Sequence, residues 1–167
     1  MSDGTARLFI DETVRRFREE YLPRLERAVA TLPPEKLWWR PHGGVISVGN
    51  LLRHLEGNVR QWFLGGLGGG TQARERDAEF RATEGDDAET LCRALRATVE
   101  ASFPILERLD DDGLTRSFTI QGFEVTGLAA VYHVLEHFGW HVGQIVWIAK
   151  ATAGPEHGLA FYDDAKL

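Results

Sequence analysis

His133, His137 and His141 stand four residues apart in the segment His133-Val-Leu-Glu-His137-Phe-Gly-Trp-His141. On an α-helix such residues lie one above another on a single face, and Gln144 extends the column by a further turn. Histidine is a modest helix former and a common metal ligand, so a column of three invites a chemical explanation. Between Gly127 and Ala149 the only charged residue is Glu136. A solvated helix face would carry Lys, Arg and Glu. The column is therefore expected to point into the protein, where each imidazole needs a partner.

A second polar stripe lies upstream, where Asn50, His54 and Asn58 share one helical face beside the apolar residues Leu51, Leu55, Val59 and Trp62. If the two stripes pack together, three imidazoles converge: His54, His137, and either His133 or His141. Three neutral nitrogens at about 2.0–2.1 Å suit one divalent transition metal, with Zn²⁺ or Ni²⁺ foremost and Fe²⁺ or Mn²⁺ also accepted. A structural zinc site is usually closed by four ligands. Three histidines leave coordination positions open to water or substrate, which is the reactive arrangement.

Stepping outward from the histidines, the chain must supply helices to carry them. With 167 residues, 43% hydrophobic and 26% charged, it reads as a single domain over 1–167 with room for a sizeable core. Ile10, Val14, Phe17, Tyr21, Leu25, Ala28 and Leu32 step by threes and fours along a first long helix, which Pro23 should kink or divide. Ser47 is a candidate N-cap for a second helix reaching about Leu64, and Asp86 or Asp87 for a third that carries Leu91, Leu95 and Val99. Asp110 to Gly113 reads as a turn, and Leu114 to Val125 as a short extended pair around Gln121-Gly122. Thr126 can cap the last helix, which bears the histidine column to about Lys150. Four long helices and one small extended excursion before the last of them make an all-α bundle.

Three segments carry a family resemblance: Ser47 to Asn58 with His54, Phe118 to Thr126, and Tyr132 to Ile145 with His137, His141 and Gln144. In their order and motifs they are similar to the DinB-like (YfiT-like) superfamily of metal-binding four-helix bundles, as are the Tyr21-Leu-Pro23 kink, the charged stretch ending at Phe80, and Gly158 to Tyr162. The resemblance places the metal triad on His54, His137 and His141, and makes His133 a pocket residue one turn away. It also implies an enzyme of the transferase or isomerase kind, using a low-molecular-weight thiol as co-substrate. The expected chemistry is metal-assisted: S-transfer from a bound thiol to an electrophile, or hydrolysis by a bound water.

Other residues take supporting parts in this reading. Glu136 is the candidate general base. Asn50, Asn58, Trp62, His133, Trp140 and Gln144 are candidates for the pocket or for orienting the ligands. Cys92 reads as a core thiol, His42 and His157 as loop residues, and the five tryptophans as mostly core. The formal charge of −6 argues against nucleic-acid binding. The single cysteine fits a reducing compartment, and with no apolar leader or span the expected location is the cytoplasm, with no membrane contact. The partners expected are a small-molecule substrate and, in a homodimer, a second copy. Two rival readings are a non-catalytic metal-binding or stress-response protein, and a metal-free histidine network that sets helix register in a dimer.

Overall fold

The computed structural model describes residues 3–71, 73–156 and 158–161. The first helical rod runs as α1 (Asp3–Arg15), a π-helical turn at Arg16–Tyr21, and α2 (Leu22–Ala30). Pro23 sits in the first turn of α2, where a missing N–H is least costly, so the widened π turn accommodates it and the rod is not severed. After a crossing segment with a 3₁₀ turn at Pro34–Lys36, α3 (Val48–Val59) begins at Ser47 and continues as a π-helical stretch, Arg60–Leu67. Its start is a reciprocal cap: Ser47 Oγ accepts from the Asn50 N–H, and Asn50 Oδ1 accepts from the Ser47 N–H.

The short α4 (Arg76–Arg81) then leads to α5 (Ala88–Leu106), whose first turn is capped by Asp87. The expected turn at Asp110 is instead the cap of a short helix, α6 (Asp111–Thr115): the Asp110 carboxylate accepts from Gly113 N–H, and that bond suffices to wind one more turn. Strands β1 (Ser117–Ile120) and β2 (Phe123–Thr126) pair antiparallel, Ile120 opposite Phe123. The two residues between them, Gln121 and Gly122, both hold positive φ, as a tight hairpin of this twist requires. Thr126 caps α7 (Gly127–Ala153) by accepting from Ala129 N–H.

Among the described residues the α1–α2 rod, α3, α5 and α7 form the four-helix bundle expected, with the hairpin before its last helix. Phe17, Phe63, Phe138, Leu25, Leu55 and Ile145 are fully buried at its centre. Phe17 meets both Phe63 and Phe138 edge-on, at 6.2 and 5.0 Å between centroids, tying three of the rods together. No helix among the described residues is long and apolar enough to cross a membrane.

The tryptophans depart from expectation. Of the five, only Trp62 is buried. Trp38 is half-buried, while Trp39, Trp140 and Trp147 are exposed. On α7 the core-facing positions Val131, Val134, Phe138, Val142 and Ile145 already fill the inward stripe, so Trp140 and Trp147 fall outside it.

Candidate metal centre

The seam between α3 and α7 brings His54, His137 and His141 together, and they are the one group of this kind among the described residues. His137 Nε2 lies 3.0 Å from His54 Nε2 and 3.0 Å from His141 Nε2. Ligands about 2.0–2.1 Å from a common centre stand about 2.8–3.4 Å apart for right-angled to tetrahedral geometry. The two spacings are those of donors around one ion.

The outer nitrogens fix the tautomers. His54 Nδ1 lies 3.0 Å from Glu79 Oε2, which can only accept, and 3.0 Å from a terminal nitrogen of Arg74, which can only donate. That nitrogen's two protons go to Glu79 Oε2 and the His54 carbonyl, so Nδ1 carries a proton and donates to Glu79. His141 Nδ1 donates to Gln144 Oε1 at 2.6 Å. Both rings therefore turn an unprotonated Nε2 toward His137. His137 can donate one proton to one of them and leaves the other facing a lone pair. A cation at the centre resolves this conflict for all three, and the residues present fit a divalent metal.

His137 and His141 are also held neutral. Burial, reinforced by the charges of His141 and His54, pushes His137 down to about 3. Burial lowers His141 as well, against the opposing bond to Gln144. Neutral imidazoles are the form that binds metal.

Glu79 has its own support. Burial works against its charge, yet the Arg74 guanidinium and then His54 hold it below the usual carboxylate range. Arg74 grips both oxygens, Nε to Oε1 at 2.7 Å and a terminal nitrogen to Oε2 at 2.8 Å. It also donates to the His54 carbonyl and to Gln61 Oε1. The hairpin reaches the same group, since Gln121 donates to Gln61 Oε1. Asn50 Nδ2 donates to the Glu79 and Ala82 carbonyls, at 2.7 and 2.8 Å, and so clamps α4 to the cap of α3. Gly57 makes the space: a Cβ there would lie 2.4 Å from Glu79 Oε1.

The remaining predicted residues fall in different places. His133 is stacked between Trp62 and His137, with centroids 4.2 and 5.6 Å away, and is not one of the three converging rings. Burial lowers it, with Glu136 opposing. Asn58 and Trp62 are buried, and Asn58 Oδ1, Trp62 Nε1 and His137 Nδ1 have no hydrogen-bond partner among the described residues. Asn50 bonds Ser47, Arg40 and α4 and meets no imidazole. Trp140 is 65% exposed and is not one of the rings that meet the triad histidines. Glu136 is exposed, and its charge acts on His133, not on the triad. His157 lies outside the described residues.

Sequence reasoning missed Glu79 and Arg74. They sit in a run of alternating charges that looks like solvated surface, and only Gly57, a glycine one turn beyond His54, signals that something comes close there.

The model of a family described as "protein of unknown function (DUF1572)" matches residues 4–159. The chain belongs to the DUF1572 family. This DUF1572 chain has the DinB-like fold. It is similar to the crystal structure of YjoA, a DinB-like protein from Bacillus subtilis, with a TM-score of 0.61 and 18% identity over 90% of this chain and 97% of that one. At that identity the likeness shows the fold, and the DUF1572 chain's chemistry rests on its own side chains. No curated protein matches the chain.

Proposed function

We propose that this DUF1572 protein is a metal-dependent enzyme acting on a small molecule, with a low-molecular-weight thiol, or water, as the nucleophile. The observation that supports it most is the fixed proton inventory: Glu79 and Gln144 take the outer protons, and three Nε2 atoms meet with at most one proton among them. Bound there, a divalent ion would lower the pKa of a thiol or water on an open position, so that the anion is available near neutral pH.

The chain's own residues divide the remaining work. His54, His137 and His141 hold the ion. Glu79 keeps His54 in its tautomer and, by accepting the Nδ1 proton, raises the basicity of its Nε2. Arg74 keeps Glu79 ionised and in place. Trp62 packs on His133, which in turn stacks on His137 and so walls that ring on one side.

The test is elemental analysis of protein purified without a metal-affinity tag, beside His54→Ala, followed by a screen of thiols against electrophiles. One equivalent of a transition metal lost in His54→Ala, with thiol-dependent turnover that chelation abolishes, is expected. Metal without turnover of any thiol–electrophile pair or hydrolysable ester would leave a binding protein. Wild type that also refuses added Zn²⁺ and Ni²⁺ would refute the metal site itself.

A further inference from the structure

One turn along the α3–α7 seam from the triad lies an open groove of about 410 Å³. Trp140, Trp147, Ile46 and Leu51 line it, and Gln144 is a polar group on its wall. Its size and its apolar lining with a single polar group are those of a small-molecule site. Two features call for an occupant. Trp140 and Trp147 are 65% and 71% exposed, an unusual display for indoles on one helix. Between them Gly143 lies within the continuous helix α7, and a Cβ there would meet nothing within 4 Å. Gly139, by contrast, has a neighbour that requires it, since its Cβ would stand 3.1 Å from the Tyr21 hydroxyl. A mid-helix glycine lowers helix stability relative to alanine, and no neighbour among the described residues requires this one.

The groove is also wired to the centre. Gln144 uses Oε1 to accept from His141 Nδ1, which leaves its amide N–H₂ without a protein acceptor among the described residues. A ligand stacked on the indoles over Gly143 can accept that hydrogen bond.

We propose that this groove binds the aromatic portion of the substrate, a flat ring system bearing a carbonyl, on the outer side of His141 and away from the atom that reacts. The ring lies over Gly143 between Trp140 and Trp147, and the carbonyl oxygen accepts from Gln144 beside the metal-binding histidines. This assignment rests on the reading of the triad as the centre of a small-molecule reaction.

The experiment titrates the full chain, metal-free and Zn²⁺-loaded, with 2-acetonaphthone and with 2-ethylnaphthalene, which lacks the acceptor. Equilibrium dialysis gives Kd, tryptophan quenching reports the site, and metal content is read on the same samples. Trp147→Ala and Gly143→Leu are the variants, with Trp39→Ala as the control for an exposed indole elsewhere. The leucine raises helix propensity and its Cβ meets nothing within 4 Å, and urea denaturation of the variant checks that it is folded. The expected result is tighter binding of the ketone than of the hydrocarbon, and a rise of about tenfold or more in Kd for both groove variants, with Trp39→Ala unchanged.

Ketone binding unaltered in the groove variants would overturn the assignment. So would a wild type that binds neither probe but sediments as a dimer that Gly143→Leu dissociates, since the occupant would then be a second copy. Groove binding intact in protein that takes up no metal would uphold the aromatic site and remove the metal reading alone.

Discussion

Gly57→Ala separates the metal-centre argument from ordinary helix energetics, because the two predict opposite signs. Gly57 lies within α3, where alanine is favoured over glycine by about 1 kcal/mol. On propensity alone the variant should be more stable and bind metal unchanged. In the structure the new Cβ would stand 2.4 Å from Glu79 Oε1, 2.9 Å from Arg74 Nε and 3.2 Å from Glu79 Cδ. Normal contact begins near 3.4 Å, so the carboxylate must retreat by about 1 Å. A free glutamate would do so at little cost. This one is pinned by two bonds from Arg74 and one from His54. The same displacement takes its 3.0 Å contact with His54 Nδ1 out of hydrogen-bond range.

Loss of a partner that orients a metal-bound histidine typically weakens metal binding about 10–100-fold, or about 1.4–2.7 kcal/mol. Disturbing a buried charged hydrogen bond costs about 1–3 kcal/mol more in the metal-free fold, enough to cancel the propensity gain. The assay is a competition titration of Zn²⁺ against a chromophoric chelator, paired with urea denaturation of the metal-free protein. Glu79→Gln should weaken zinc to a similar extent. Combined with Gly57→Ala it should add little, since both act on one contact. Wild-type zinc affinity in Gly57→Ala, together with a gain of about 1 kcal/mol, would refute the reasoning.

Three further outcomes are expected. Because His137 is held near 3 when folded and near 6.5 when unfolded, the unfolded chain takes up the proton first as pH falls. Stability of the metal-free protein is then full above about 6.5 and declines toward about 3, by at most about 1.4 kcal/mol per pH unit from this group. Urea midpoints from pH 7.5 to 4.5 check this, and His137→Gln should flatten the slope. Thr126→Ala removes the cap of α7 and should cost about 1 kcal/mol by urea denaturation, with zinc affinity retained. The Cys92 thiol is pushed up to about 11 by burial, with Glu26 adding to it. Its alkylation by iodoacetamide at pH 7.5, followed by mass spectrometry, should be much slower than that of a free thiol; any thiolate used in turnover is then the substrate's.

What could be read from sequence follows the range of the forces involved. The helix starts at Ser47, Asp87 and Thr126 are local bonds between a side chain and a backbone N–H three residues on, and each occurs where its residue type and spacing say. His54, His137 and His141 were legible because a polar column on an apolar helix has few explanations, although choosing His141 over His133 needed the family likeness. The tryptophans were misplaced because hydrophobicity alone says that a residue can be buried, not that the inward stripe has room for it. Trp140 and Trp147 lie beside a stripe already filled by Phe138, Val142 and Ile145. Glu79 was illegible for a different reason. Its value to His54 arises from a fold that returns α4 to α3 across a separation of 25 residues, and no periodicity crosses the intervening loop.

The three imidazoles are supported unequally, and that inequality bears on what the centre can do. His54 is backed by a carboxylate, itself locked by Arg74 in a nearly closed interior where the two side chains are 11% and 6% exposed. His141 is backed by the neutral amide of the exposed Gln144, and His137 Nδ1 by no group among the described residues. A carboxylate partner makes an imidazole a stronger donor than an amide partner does. The rigid, strongly donating edge is therefore on α3, and the adaptable edge is on α7 beside the groove. Were a divalent ion held there, His54 would be its fixed donor and His141 the donor free to adjust. Such asymmetry suits a centre with open positions better than a closed structural site, whose ligands are all held alike.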